Sequence, residues 1–248
     1  TRRMAAYLGS LGLDPGSRIA LMSNNCAHWI MADLAIWMAG HVSVPLYPIL
    51  SPKTIRQILE HSEARAMFVG KLAGWDDMQQ GVPEDVQQIT FPLSPENIRG
   101  TEQDLEQIML LWQPTAENPV RSLDDLGNII YTSGTTGMPK GVMHSFRTLA
   151  TVGELTGDLY QIGPSDRILS YLPLAHVAER AAVEVGQLYA GFQVYFSNSL
   201  DTFADDLRRA RPTLFFAVPR IWTKLQQRIL EKIPEQKLHR LLKLPVIK

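Results

Sequence analysis

Apolar and polar positions follow two periods along this chain. Arg18–Ser23 (RIALMS), Val42–Tyr47 (VSVPLY) and Ala64–Gly70 (ARAMFVG) are short runs with few polar positions, the pattern of strands buried on both faces. The intervening stretches are longer and turn at helical spacing. Ala27–Met38 is apolar on nearly all sides, which predicts a core helix. In SPKTIRQILEHSE, Ser51 is placed as the N-cap, Pro52 as the first helical residue, and Ile55, Ile58 and Leu59 share one face. Strand, helix, strand, helix, strand in this order predicts a parallel sheet covered by helices.

Residues 71–125 are less regular, with Pro83, Pro92, Pro95, Pro114 and Pro119 among acidic and Gln-rich stretches. One strand is expected near Val86–Thr90 and one helix within Glu102–Leu111, the rest being surface loop. Order returns at Leu126–Thr132 (LGNIIYT), followed by a short strand at Gly141–His144 and a helix at Phe146–Tyr160. RILSYLPL, GFQVYFS and PTLFFAV are three further strand candidates, separated by helical segments at His176–Ala190 and Thr202–Ala210. IWTKLQQRILEKI then reads as an amphipathic helix. No internal repeat interrupts the order.

Composition changes this picture little. The chain has 248 residues, 45% of them hydrophobic and 20% charged, with 24 basic and 25 acidic residues and a formal net charge of −1. That balance supplies no field to draw in nucleic acid. A single cysteine, Cys26, excludes an internal disulfide and any cysteine-rich metal cluster, and fits a reducing cytosol. The most apolar run is too short to span a bilayer and carries Asp33. Asp33, Asp124 and Asp125 match no metal-ligand spacing and are read as polar helix or loop positions, so no metal site is expected. The chain opens inside a helix-like pattern, MAAYLGSLG, and closes in the apolar run LLKLPVIK, which together suggest a piece of a longer protein.

The candidate chemistry lies in Tyr131–Val142, YTSGTTGMPKGV. Six consecutive Ser, Thr and Gly residues run from Thr132 to Gly137, with Pro139 and Lys140 behind them. Strand-like sequence flanks them tightly, which excludes a domain linker. A tight turn of such residues presents backbone N–H groups and hydroxyls as an anion-binding nest, with the Lys140 ammonium at its edge. The spacing is not that of a Walker A loop, because Pro139 stands five residues after Gly134, and no G-x-G-x-x-G turn accompanies it.

Y-T-S-G-T-T-G-M-P-K-G-V resembles the phosphate-loop signature of the adenylate-forming (AMP-binding) superfamily. YLPLAHVAER (Tyr171–Arg180) resembles that superfamily's next motif in the form typical of long-chain fatty acyl-CoA synthetases. WMAGHVSVPLYP (Trp37–Pro48) resembles an early structural motif. The three occur in family order, and the resemblance covers essentially the whole chain. It implies an α/β fold of mixed, mostly parallel sheets covered by helices: the incomplete, two-lobed N-terminal domain of an acyl-CoA synthetase. By that analogy residues 1–43 and 166–248 form one lobe and 44–165 the other, with the C-terminal domain absent.

The resemblance further implies ATP-dependent activation of a long-chain fatty acid through an acyl-adenylate to acyl-CoA, with ATP, Mg²⁺ and CoA as cofactors and co-substrates. Thr132, Ser133, Gly134, Thr135, Thr136, Gly137 and Lys140 would line the loop over the ATP phosphates, and His176 would stand beside the carboxylate and adenylate. Glu179 and Arg180 are read as an ion pair at the helix start, the alternative being contact with the acyl entrance. His144 is read as structural. A G-Y-G-x-T-E stretch is expected beyond Lys248, so the chain alone is expected to be inactive. Cytoplasmic location, peripheral membrane contact and dimerisation through Phe215, Phe216 and the last helix complete the expectation. The rival readings are a fatty acyl-AMP or aryl-CoA ligase, and a non-catalytic phosphate-binding or interaction module.

Overall fold

The computed structural model describes residues 1–99, 103–116, 119–132, 137–199, 201–233, 237–238 and 240. Two compact units divide the chain, Thr1–Thr213 and Leu214–Lys248.

The first unit is built on a six-stranded sheet of order β4-β3-β1-β2-β5-β6. Its strands are β1 (Arg18–Met22), β2 (Val42–Leu46), β3 (Ala66–Val69), β4 (Gln87–Thr90), β5 (Leu126–Thr132) and β6 (Lys140–Ser145). All neighbours run parallel except β5 and β6, which form an antiparallel pair. Helices α1 (Arg2–Ser10), α2 (Ala27–Met38), α3 (Pro52–Ser62), the short α4 (Trp75–Met78) and α5 (Leu105–Leu111) belong to its connections. The mixed, mostly parallel sheet with flanking helices is the expected fold class.

Side chains of successive strand residues point to opposite faces, and the two faces of β2 have different partners. Val44 and Leu46 join Ile55, Ile58 and Leu59 of α3 in one buried cluster with Met22, Met67, Val69 and Tyr131. Each aliphatic side chain buried there contributes about 1.5–3 kcal/mol. Ser43 points the other way and meets Asp33 of α2. The start of α3 is as expected: Ser51 caps it, accepting from the Thr54 N–H, and Pro52 follows.

Two of the sequence expectations need correction here. The lobe boundary near residue 43 falls within β2, and β1 pairs with β2 and β3 at the middle of the sheet. Residues 1–43 are therefore woven into the sheet of residues 44–145. The ladder decides this, because strand pairing joins segments that the motif order alone leaves separate. After residue 166, β7 (Arg167–Ser170) and β8 (Gln193–Phe196) form a separate parallel pair. PTLFFAV forms no strand. Pro212 has no N–H to donate; the Thr213 N–H donates to the Arg167 carbonyl at 2.9 Å, and the Arg211 carbonyl accepts from Arg167 Nε at 2.9 Å.

Between β6 and β8 run α6 (Phe146–Tyr160), α7 (Val177–Glu179), a π-helical segment (Arg180–Val185) and α8 (Gly186–Ala190); α9 (Phe203–Ala210) follows β8. The helix expected over His176–Ala190 is thus present with a π turn in its middle. In the second unit α10 (Pro219–Lys232) starts with Pro219 after the extended Val218, and Trp222 Nε1–H donates to the Ala217 carbonyl at 3.2 Å. Among the described residues no helix is long and apolar enough to cross a membrane.

Candidate functional site

Parallel strands place their carboxyl ends along one edge of the sheet, where ligands of open α/β sheets bind. Here β1 leads into Ser23–Asn25, β2 leads into Tyr47, and β5 ends at Thr132. Thr132 and Lys140 face each other as the closing pair of the β5–β6 ladder, so both ends of the Ser/Thr/Gly loop are held by the sheet. Ser133, Gly134, Thr135 and Thr136 lie outside the described residues. Gly137 has φ of 81°, a left-handed conformation that costs glycine little. Thr132 and Lys140 are exposed, and Lys140 makes no ion pair among the described residues.

Tyr131 and Gly141 pack on each other at the two ends of the motif. Gly141 pairs with Tyr131, and a Cβ at 141 would stand 2.7 Å from Ile129 Cγ2 and 3.2 Å from Tyr131 Cζ. The tyrosine ring lies over the glycine, so the two residue types require each other. Tyr131 is buried, its hydroxyl 2.7 Å from His61 Nδ1. Burial raises its pKa, against smaller lowering effects of Ser62 and Arg18, so it stays a neutral phenol at physiological pH. Behind the loop lies a cavity of about 390 Å³ whose walls include Leu46, Tyr47, Ile58, Tyr131, Thr132 and Pro139.

His176 reaches the same edge from the other sheet. It is exposed and caps α7, Nδ1 accepting from the Ala178 N–H at 3.1 Å. With Nδ1 used as an acceptor, the neutral ring carries its proton on Nε2, which is left free to donate. The ring meets Tyr47 edge-on at 6.4 Å between centroids. Tyr47 thereby connects His176 to the cavity wall that Thr132 and Pro139 share, and three stretches distant in sequence converge.

Buried polar residues hold the loop before His176. Asn25, at the end of β1, donates through Nδ2 to Ser170 Oγ at 2.7 Å and to the Leu172 carbonyl at 2.6 Å. Its Oδ1 accepts from the Leu174 N–H at 3.0 Å. Glu179 accepts from Ser170 Oγ at 2.8 Å and from the Tyr171 N–H at 2.9 Å. Burial pushes its pKa up to about 7 against the opposing pull of those donors.

Glu179 and Arg180 do not pair with each other, contrary to expectation. Arg180 is buried and pairs with Asp33 of α2, and its Nε lies 3.3 Å from Glu184 Oε2. The Trp29 and Trp37 rings each stand 5.3 Å from its guanidinium carbon. Burial works against the charge on Arg180, yet the two carboxyl groups outweigh it and its pKa is raised. Glu184 is raised well above the usual carboxylate range by burial and by repulsion from Asp33, with Arg180 opposing. Asp33 is thus no ordinary polar helix position. His144 Nδ1 lies 2.9 Å from Asn128 Oδ1. Sequence reasoning missed Asn25, Asp33, Tyr47 and Glu184; the one available signal was Arg180 and Glu184 four residues apart in a mostly apolar helical stretch.

The fold defines a class: an α/β protein with a mixed, mostly parallel sheet covered by helices. The profile of the AMP-binding enzyme family matches residues 1–246, and the chain belongs to that family. It is 32% identical to fatty acyl-CoA synthetase A of Dictyostelium discoideum over 240 residues, covering 91% of this chain and 35% of the relative. It is 29% identical to long chain acyl-CoA synthetase 2 of Arabidopsis thaliana, covering 93% and 37%. The solved benzoate CoA ligase from Burkholderia xenovorans LB400 superposes with a TM-score of 0.75 at 26% identity, covering 88% of this chain and 43% of that one. The chain spans about a third of the length of these curated relatives.

Proposed function

We propose that this chain is the phosphate- and carboxylate-facing part of an ATP-dependent long-chain fatty acyl-CoA synthetase. The observation that carries the reading is the convergence of Thr132, Lys140 and His176 on one sheet edge around Tyr47 and the cavity behind the loop. In the reaction a carboxylate oxygen of the fatty acid attacks the α-phosphorus of ATP. An acyl-adenylate forms, and the bond to the pyrophosphate oxygen breaks. The thiolate of CoA then attacks the acyl carbon, giving the thioester and AMP. Charge builds on the phosphates during the first step, so pre-aimed N–H, hydroxyl and ammonium donors lower its barrier.

In this reading the loop Thr132, Ser133, Gly134, Thr135, Thr136, Gly137 and Lys140 embraces the β- and γ-phosphates. Its two ends are fixed by the ladder, and Lys140 has no ion-pair partner among the described residues to compete with phosphate. His176 presents Nε2–H toward the carboxylate and adenylate oxygens. Among the described residues no cluster of imidazole and carboxyl groups suits a metal. The long-chain substrate is supported by the form of YLPLAHVAER and by the likeness to the long chain acyl-CoA synthetase of Arabidopsis thaliana. The likeness to a benzoate CoA ligase keeps aryl acids as the second reading.

Because the chain spans a third of its relatives, the complete reaction is assigned to the longer protein, and the chain alone is expected to be inactive. The test is acid-dependent ATP–pyrophosphate exchange on this chain and on the reading frame extended past Lys248, with palmitate and benzoate in parallel. Palmitate-dependent exchange in the extended protein alone supports the proposal. Benzoate-dependent exchange moves the assignment to the aryl-CoA ligases. Palmitoyl-adenylate without CoA-dependent thioester moves it to the acyl-AMP ligases, and exchange with neither acid leaves a non-catalytic module.

A further inference from the structure

Resting on the role proposed for His176, we infer that Arg180 is the positioning residue for that imidazole: the buried Asp33–Arg180–Glu184 cluster anchors the helix start that His176 caps. Three observations carry the inference. The Arg180 N–H donates to the His176 carbonyl at 3.0 Å, so the backbone of the cap is tied to the residue whose side chain is locked. That side chain is pinned from α2 by Asp33, which Ser43 of β2 holds in turn, and it lies between two tryptophan rings of the same helix. The anchor therefore reaches from the first sheet to the connection between β7 and β8. Finally, the helix is π-helical from Arg180 to Val185, a local departure that recurs at functional positions.

Stability alone does not account for the cluster. Replacing buried ion pairs by packed apolar side chains is often neutral or stabilising. Here Arg180 Nη1 and both oxygens of Glu184 also lack hydrogen-bond partners. What the cluster provides is direction: it sets where α7 begins relative to β2. Asn25 and Glu179 fix the loop on the other side of His176. With both flanks held, the imidazole has one approach to the edge where Thr132 and Lys140 end. Asp33 makes the hydrogen-bonded contact to Arg180, whereas neither oxygen of Glu184 has a hydrogen-bond partner, so Asp33 is the carboxylate that pins the guanidinium.

Amide hydrogen exchange on the 248-residue chain tests this. R180M and D33N are expected to accelerate exchange at residues 171–180 at least tenfold while β1 and β3 exchange at the wild-type rate. E184Q is expected to match the wild type throughout. Uniform acceleration over the whole first unit would show a general stability role and overturn the inference, as would no change at residues 171–180. Should R180M not fold, S43A loosens Asp33 without removing a charge and carries the same test. In the extended protein, R180M and H176A should each lower pyrophosphate exchange, and the double variant should be no slower than the slower single variant; additive losses overturn the coupling. If the wild-type extended protein shows no exchange, the proposed function fails, and the amide rates still decide the anchoring.

Discussion

Replacing Glu179 by Gln should change how stability depends on pH, with a sign that the site dictates. Glu179 is 1% exposed, and its carboxyl group titrates near 7 against an ordinary value of 4.5. The folded state therefore holds a proton that the unfolded state has released. Unfolding then releases a proton between these two values, and stability falls as pH rises through that window. The slope is about 1.4 kcal/mol per pH unit, and across the window the loss is about 3 kcal/mol. Below 4.5 both states are protonated and the penalty vanishes; above 7 it is constant. Glutamine keeps an oxygen for Ser170 and Tyr171 but cannot ionise. Urea unfolding of wild type and E179Q from pH 5 to pH 8 measures the difference between the two proteins, in which most other titrating groups cancel. E179Q should gain on wild type by about 2–3 kcal/mol over that range. A difference that stays level would mean that Glu179 is ionised throughout and that burial does not govern it, and the reasoning would be refuted.

In the extended protein, Lys140→Ala should slow palmitate-dependent pyrophosphate exchange by about 10²–10³-fold, the usual loss for one aimed donor; exchange unaffected by the change would remove Lys140 from the phosphate site. Gly141→Ala should cost about 1–3 kcal/mol, because the new Cβ meets Ile129 at 2.7 Å; the midpoint of urea unfolding reads this directly. In the second unit Phe216, Trp222 and Ile229 are exposed, and self-association of the isolated chain is expected through them. Sedimentation equilibrium should show mass rising with concentration, and F216S/W222S should return it to the monomer.

The local chemistry of the phosphate loop was legible in the sequence, because it depends on residue types over a few positions. Glycine at 137 and 141, hydroxyls from 132 to 136 and the ammonium at 140 have few other uses in that order. Most strands and helices were legible for the same kind of reason: α3 shows its cap, its proline and its apolar face within eleven residues. His176 could be named through its motif, although nothing local states what it faces.

What the sequence determined by itself was therefore period, capping and the composition of one loop, all set by neighbours in the chain. Only the tertiary structure decided which distant segments share a sheet. It drew residues 1–43 into the ladder of 44–145, left PTLFFAV without one, and brought Tyr47 to His176. It also turned Asp33 from a polar helix or loop position into the buried partner of Arg180, 147 residues away. The physical reason is common to these cases. Strand pairing and the solvation of a charge depend on what stands across the gap, and a residue's own neighbours do not record it.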